Sequence, residues 1–280
     1  MKNDRLISRI EQLTVPSSDD GVIFTRTDRL ARIRAALEDS HYRCLADLPL
    51  AKIYHHVRFR ERSPFLLISN HIDSAYEDYY FSKKKGMIYG TLDNSACNGV
   101  VVELMVKGRL PPQTLVAFTG DEEDGCAGVD QIMQYLSALN AMIGNLEVVI
   151  VLDLTEEFFE SHHYSIENYF VRRQGTGSAL HFDKKRDFRT YLDDKFQGKS
   201  AFLLDAEPDE SWEYDEHDMN CFSFCLPCRL LGRDMHSTKG VAIKLESVKK
   251  YAEALTTLAQ AIEKDLVMKN WQSQKVAEKY

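Results

Sequence analysis

The sequence predicts an α/β fold with a mostly parallel, mixed central sheet flanked by helices on both faces. Three short, continuous apolar runs, at 65–68, 114–118 and 148–152, have the length and composition of buried strands. Helical patterns alternate with these runs, and this order favours parallel strands joined by helical crossovers. With 280 residues, of which 44% are hydrophobic and 28% charged, the chain is long enough to bury a core.

The helices are predicted from apolar residues that recur at helical spacing. Two amphipathic helices precede the first strand, one across 6–13 and a second that begins at Thr27 or Asp28. Later patterns at 100–105, 129–136 and 248–266 predict further helices. No repeat and no Pro/Gly/Ser-rich linker divides the chain. We therefore expect residues 1–280 to form a single catalytic domain, with an elaborated loop region at about 155–220.

Composition excludes several classes of function. Lys and Arg number 35 against 43 Asp and Glu, a formal net charge of −8, so no overall basic surface is available for nucleic acid. No apolar run reaches the roughly 18 to 20 residues of a membrane span, and no signal-peptide pattern follows residues 1–5. Six cysteines are too few for a disulfide scaffold and favour reduced thiols. We expect a cytoplasmic protein without nucleic-acid or membrane partners.

Residues typical of metal sites follow each predicted strand, where α/β proteins place their functional groups. His71 follows the first run, Glu123 the second and Asp153 the third. Asp93 opens the helix between the first two runs, and His236 follows a later strand-like run at 222–226. Each residue has an ordinary structural role when it stands alone. Their coincidence at one expected edge of the sheet favours a divalent metal site.

Five ligands are too many for one tetrahedral zinc but suit two metals about 3.5–4 Å apart that share a bridging carboxylate and a bridging water. Glu122, next to Glu123, is then left without a metal and is the expected general base for the metal-activated water. Asp73, two residues beyond His71, is suited to hold the other ring nitrogen of that histidine.

The sequence resembles the co-catalytic di-zinc aminopeptidases, which include bacterial leucyl aminopeptidases and, more distantly, glutamyl and tetrahedral aminopeptidases. Tetrahedral aminopeptidases carry a large insert before the bridging aspartate. Only 22 positions separate the first histidine from the bridging aspartate here, so the leucyl aminopeptidase arrangement fits better. The resemblance covers about residues 60–265 and rests on motifs in the family's order: His71-Ile72-Asp73, Asp93-Asn94, Glu122-Glu123-Asp124-Gly125, Asp153 and His236-Ser237.

The resemblance implies the zinc-dependent exopeptidase fold and a role for each motif residue. Asp93 bridges two metals, His71 and Asp153 hold one of them, and Glu123 and His236 hold the other. Glu122 is the base, and Asp73 orients the first histidine. The expected cofactors are two divalent metal ions, with Zn²⁺ first and Co²⁺ or Mn²⁺ also compatible with these ligands.

The predicted function is removal of N-terminal residues from small peptides by a di-metal-activated water. Two alternatives stay open: a carboxypeptidase or deacylase-type amide hydrolase with the same metals, and a non-catalytic peptide-binding relative. Homo-oligomers are common among related peptidases. The acid-rich stretch 205–218 has two interpretations. It forms a solvated loop, or one of its carboxylates, Glu210 or Glu213, reaches the rim of the site and binds a substrate's ammonium group.

Overall fold

A computed structural model of the chain describes residues 3–15, 28–76, 78–170, 185–196, 201–203 and 206–267. Its helices and strands alternate along most of that length. In chain order they are α1 (Asn3–Leu13), α2 (Asp28–Leu37), β1 (Tyr42–Asp47), β2 (Ala51–His56), β3 (Phe65–His71), β4 (Phe81–Lys84), β5 (Met87–Gly90), α3 (Ser95–Val106), β6 (Thr114–Thr119), α4 (Ala127–Ile143), β7 (Leu146–Thr155), β8 (Ser165–Phe170), α5 (Lys185–Phe196), β9 (Ala201–Leu203), α6 (Glu210–Glu216), β10 (Cys221–Pro227), β11 (Arg229–Leu230), β12 (Val241–Lys244) and α7 (Leu245–Ile262), which continues as a π-helical turn (Glu263–Val267).

The main sheet has eight strands in the order β1-β2-β6-β3-β7-β10-β8-β9. Its four central strands, β6, β3, β7 and β10, run parallel to one another. Antiparallel pairs flank them on both sides, and β8 and β9 are again parallel. The predicted α/β fold with a mixed, mostly parallel sheet is confirmed. The three predicted apolar strands are the core strands β3, β6 and β7.

Helices cover both faces of this sheet, because side chains along a strand point alternately to opposite faces. In β3, Leu66 and Ile68 pack on the face that carries α1, α2, α3, α5 and α7. Phe65 and Leu67 pack on the opposite face, against α4 and α6. The central strands are therefore apolar without interruption, since both of their faces are buried.

The helix α3 is buried along nearly its whole length, with every residue from Ser95 to Met105 buried. The sheet lies beneath it, and α1 and α2 cover it from outside. Gly99 permits this close packing: a Cβ there would lie 2.5 Å from Cγ1 of Ile10 in α1. The N-terminal helices predicted from periodicity are confirmed as α1 and α2, whereas Thr27, the alternative first residue of α2, lies outside the described residues.

A second, four-stranded antiparallel sheet, in the order β11-β12-β5-β4, was not predicted from the sequence. Its strands are two to four residues long, and β4 is mostly exposed. Such short strands lack the continuous apolar run that marks the main sheet. The segment 155–220 contains β8, α5, β9 and α6. None of the described helices has the length and apolar composition needed to cross a membrane.

Candidate metal centre

Three of the predicted ligands lie where neighbouring parallel strands end. His71 is the last residue of β3, Asp153 is close to the end of β7, and Glu123 follows β6. In the sheet β3 lies between β6 and β7. The crossover from β3 to β6 packs α3 on one face, and the crossover from β6 to β7 packs α4 on the other. In sheets of this kind, ligands usually bind at the carboxyl ends of the strands where the connections reverse direction.

His71, Asp93 and Asp153 form what we term the deep cluster. The Nε2 atom of His71 lies 3.4 Å from Oδ1 of Asp93 and 3.5 Å from Oδ1 of Asp153. The His71 side chain is only 3% exposed. One imidazole nitrogen and two carboxylates thus converge from a strand end, a strand and a helix start.

Asp93, Glu123 and His236 form the outer cluster. The Nε2 atom of His236 lies 3.1 Å from Oε2 of Glu123 and 3.4 Å from Oδ2 of Asp93. The His236 side chain is 41% exposed. Asp93 belongs to both clusters, with Oδ1 toward the deep histidine and Oδ2 toward the outer one.

Buried side-chain amides hold Asp93 at the start of α3. The amide of Asn94 donates to the carbonyl of Leu152 in β7 at 2.7 Å. The amide of Asn98, one helical turn later, donates to the carbonyl of His71 at 2.9 Å and to that of Asn94 at 2.6 Å. The peptide bond between Asp93 and Asn94 is cis. The start of α3 is thus tied to both strands that carry the deep cluster.

Glu122 and Asp73 face the opposite edge of the His71 ring. Nδ1 of His71 lies 3.5 Å from Oδ1 of Asp73 and 3.7 Å from Oε2 of Glu122. Oδ2 of Asp73 accepts a hydrogen bond from the backbone N–H of Glu123 at 3.1 Å. Asp73 therefore contacts a residue of each cluster, and all seven sequence-predicted site residues lie together.

The neighbouring carboxylates raise the pKa values of both histidines. Burial opposes a charged His71, but the carboxylates of Glu122, Asp153, Asp73 and Asp93 outweigh it and raise its pKa well above the ordinary value. A hydrogen bond to Asp93 raises the pKa of His236 to about 9, against the lowering effect of burial. Burial raises the pKa of Asp93, but its contacts with His236 and His71 prevail and lower it. In the absence of cations, protonated imidazoles therefore balance part of the negative charge of these carboxylates.

Burial raises the pKa of Glu122 to about 8, with Asp93 and Glu210 adding to the rise and His71 opposing it. Glu210, from the acid-rich stretch, is the first residue of α6 and is 1% exposed. Its Oε2 accepts a hydrogen bond from Oγ of Ser69 at 2.9 Å. Burial likewise raises the pKa of Glu210 to about 7. This side chain is enclosed behind the site and does not stand at its rim.

Glu213, the other candidate in the acid-rich stretch, lies elsewhere. It is near Asp130 of α4 and His217, whose Nε2 lies 2.9 Å from Oδ1 of Asp130. This group is partly exposed and joins α4 to the end of α6. Glu213 therefore lies beside the His217–Asp130 ion pair between two helices, and none of the predicted metal ligands belongs to this group.

The residues present fit two divalent cations that share Asp93. Oδ1 of Asp93 is buried and has no hydrogen-bond partner among the described residues. Imidazole nitrogens with carboxylate oxygens form a donor set that suits Zn²⁺, Co²⁺ or Mn²⁺. Buried carboxylates without a counter-charge are costly, so a cluster of five near two histidines is expected to bind cations.

Several residues around the site escaped the sequence analysis. Arg29 of α2 is fully buried, and its Nη1 donates to the carbonyl of Ile72 at 2.9 Å, next to His71. Tyr76 donates its hydroxyl to the carbonyl of Met235 at 2.9 Å, next to His236. Both act on backbone carbonyls through long-range contacts. No local pattern distinguishes them from other arginines and tyrosines.

No protein-family model and no curated protein sequence matches the chain, but many solved structures do. A TET aminopeptidase from a marine sediment archaeon, Thaumarchaeota archaeon SCGC AB-539-E09, matches with a TM-score of 0.69 and 10% identity, over 96% of this chain and 99% of that one. The Pyrococcus horikoshii TET1 peptidase matches with a TM-score of 0.60 and 13% identity, over 91% and 99%. The Legionella pneumophila LapA aminopeptidase matches with a TM-score of 0.56 and 12% identity, over 94% and 72%.

These likenesses show that the chain has an aminopeptidase-like fold along nearly all of its length. The structure adds candidate His/Asp/Glu metal sites at the carboxyl edge of its sheet. A shared fold does not by itself establish a shared reaction. The side chains of the deep and outer clusters therefore carry the functional assignment.

Proposed function

We propose that the chain is a di-metal aminopeptidase that removes N-terminal residues from peptides. The observation that carries this proposal is the position of Asp93, whose two carboxylate oxygens face two different histidines at 3.4 Å each. A carboxylate shared in this way is what a pair of neighbouring cations requires. The aminopeptidase-like fold supports peptides as the substrate class.

In this proposal His71 and Asp153 would hold one cation, Glu123 and His236 would hold the other, and the two oxygens of Asp93 would serve both. Zn²⁺ is the first choice for these ligands, with Co²⁺ and Mn²⁺ as compatible ions. Asp73 orients the ring of His71 through Nδ1, so that Nε2 faces the deep cluster. The two ring nitrogens of His71 therefore have separate roles.

Glu122 is the general base in the proposed reaction. Two bound divalent cations would supply Lewis acidity, which would lower the pKa of a water molecule and polarise the scissile carbonyl. Glu122 takes the proton of the attacking water and delivers it to the leaving amine. Its Oε2 lies 3.7 Å from Nδ1 of His71, beside the deep cluster. No covalent intermediate with the chain is required.

The charge of the site favours a substrate with a free amino terminus. The carboxylates of Glu122, Glu123, Asp93 and Asp153 meet at one edge of the sheet. Two bound divalent cations would offset four of the five carboxylate charges at the site, so about one negative charge would remain to attract a ligand of the opposite sign. A protonated peptide N-terminus satisfies this condition, whereas an acetylated one does not.

The test uses the chain loaded with Zn²⁺, its Glu122→Gln variant and a peptide library that holds free and N-acetylated members. We expect the wild type to release single N-terminal residues from free peptides, as read by mass spectrometry. Glu122→Gln retains both cations but loses turnover by roughly 10²- to 10⁴-fold, because it removes the base. Asp124→Asn is the matched control, since Asp124 is exposed in the same loop.

The products distinguish this proposal from its alternatives. Cleavage of acetylated peptides at the carboxyl end would indicate a carboxypeptidase, and loss of the acetyl group would indicate a deacylase. No turnover with two bound cations would indicate a binding protein on this fold. Wild-type turnover in Glu122→Gln would contradict the assignment of the base.

Self-association is part of the proposal. The similar Pyrococcus horikoshii peptidase assembles into a tetrahedron or a large octahedral shell. Sedimentation of the purified chain measures whether it forms such assemblies. A monomer would contradict this part of the proposal and leave the proposed chemistry unaffected.

A further inference from the structure

His236 differs from the other proposed ligands because its segment, 231–240, contains neither helix nor strand. Short-range backbone bonds shape this segment, from the N–H of Ser237 to the carbonyl of Asp234 and from the N–H of Gly240 to the carbonyl of Ser237. With a side chain that is 41% exposed, His236 also lacks the burial that fixes His71. Contacts from another part of the chain must therefore hold the imidazole.

Tyr76, on the segment that follows β3, makes such contacts. The residue is buried, and its hydroxyl donates to the carbonyl of Met235 at 2.9 Å, directly before His236. Its ring lies edge-on to the His236 imidazole, with centroids 6.0 Å apart and an interplanar angle of 76°. One side chain thus restrains both the backbone beside His236 and one side of the ring.

The same segment also contacts Glu123, the other residue specific to the outer cluster. The backbone N–H of Ala75 donates to Oε1 of Glu123 at 3.3 Å, and Asp73 accepts from the Glu123 N–H at 3.1 Å. Residues 73–76 therefore contact both loops of the outer cluster. They hold Glu123 and His236 in a geometry in which Oε2 and Nε2 lie 3.1 Å apart.

We propose that Tyr76 is a positioning residue for His236 and sets the cation affinity of the outer cluster. This inference rests on the proposed function, because it takes His236 to be a metal ligand. A ligand held in place before a cation arrives loses less conformational freedom on binding, and partners that orient ligands contribute measurably to affinity. The Tyr76 hydroxyl also lies near the backbone of Asp93, the residue that both clusters share. Its hydrogen bond to Met235 and its ring contact with His236 belong to the outer cluster alone, so the larger effect is expected there.

Tyr80 offers a matched control for Tyr76. Its hydroxyl donates to the carbonyl of Lys239, in the same segment but at the end that enters β12. The two tyrosines therefore make the same kind of bond to one segment, one beside the ligand and one away from it. Tyr76→Phe and Tyr80→Phe each remove a hydroxyl and keep a ring.

The experiment titrates Co²⁺ into the metal-free full chain and follows heat and visible absorption. We expect two binding steps in the wild type, and His236→Ala identifies the outer step by removing it. Tyr76→Phe lowers the affinity of that same step by about 10- to 100-fold, the usual effect of losing a partner that orients a ligand. The affinity of the deep step falls by less than that of the outer step, and Tyr80→Phe changes neither step.

Circular dichroism and the thermal midpoint of each variant show whether its fold is retained. Wild-type affinities in Tyr76→Phe would overturn the inference and leave the proposed function intact. Equal weakening of both steps, or the same loss in Tyr80→Phe, would show general loosening of the segment and would also overturn it. A wild type that binds no Co²⁺, or keeps two steps in His236→Ala, would overturn the proposed function and this inference with it.

Discussion

The deep and outer clusters use the same kinds of donor but are held in different ways. The deep cluster takes His71 from the end of β3 and Asp153 from β7, two adjacent strands of the main sheet. The outer cluster takes Glu123 and His236 from loops, and its histidine is 41% exposed, against 3% for the deep one. Sheet hydrogen bonds position the first set of ligands, whereas side-chain contacts such as that of Tyr76 position the second.

This difference bears on how the proposed site binds cations. Ligands on rigid elements are placed more accurately than ligands on loops. We therefore expect the deep cluster to bind its cation more tightly than the outer cluster does. Asp93 couples the two, because one carboxylate serves both.

The largest effect is expected from a substitution at Asp93, because it removes a ligand from both clusters at once. Asp93→Ala takes one carboxylate oxygen from each cluster and should abolish peptide hydrolysis, measured as release of N-terminal residues from free peptides. Asp124→Ala, at an exposed position in the loop after β6, should hydrolyse peptides at the wild-type rate. Substantial activity in Asp93→Ala would contradict a shared, bridging carboxylate.

A smaller effect is expected at Asp73, which contacts one residue of each cluster. Asp73→Asn keeps the size of the side chain but weakens its hold on the His71 ring. Activity or cation affinity should fall by about 10- to 100-fold. The exposed Asp78, in the same segment, provides the control Asp78→Asn. An unchanged Asp73→Asn protein would remove Asp73 from the proposed orienting role.

The stability of the metal-free chain should depend on pH through Glu210, whose carboxyl group is buried behind the deep cluster. Burial raises the pKa of Glu210 to about 7, above the ordinary value of 4.5. The folded state therefore binds this proton more tightly than the unfolded state does. The resulting stability is fully present below pH 4.5 and is lost as the pH rises through 7. The free energy of unfolding should fall by at most about 3 kcal/mol over this range.

Glu210→Gln should flatten this part of the pH dependence, since glutamine does not ionise. Urea unfolding of the metal-free wild type and variant between pH 5 and pH 8 measures the difference. Glu216→Gln is the control, because Glu216 is exposed on the same helix, α6. A Glu210→Gln protein whose free energy of unfolding falls with pH as steeply as that of the wild type would contradict this account.

The contrast between the clusters also explains what could be predicted from the sequence. β3, β6 and β7 are buried on both faces, so they appear as continuous apolar runs. His71, Glu123 and Asp153 end or follow these strands, and the carboxyl ends of parallel strands meet at one edge of a sheet, so the three residues could be predicted to be neighbours. The α/β fold followed from the same runs. His236 was a candidate because it follows the strand-like run at 222–226, but how its imidazole is held could not be predicted, because it depends on contacts with the distant Tyr76.

Other features escaped prediction for related reasons. The second sheet is built from strands of two to four residues, such as β11 and β4, which are too short to show a period. The position of Glu210 was left open between a solvated loop and the rim. The structure encloses it instead, because Ser69 of β3 donates to its carboxylate and the hydroxyl of Tyr214 donates to Ser69. Such contacts join residues more than a hundred positions apart.

The number of cations bound per chain tests the central claim most directly. The metal-free chain is dialysed against Zn²⁺, and zinc and protein are then measured by elemental analysis and absorbance. The account predicts two zinc ions in the wild type, one in His236→Ala and none in Asp93→Ala. A wild type that binds one zinc ion or none, or an Asp93→Ala protein that still binds two, would contradict a two-cation site built around a shared Asp93.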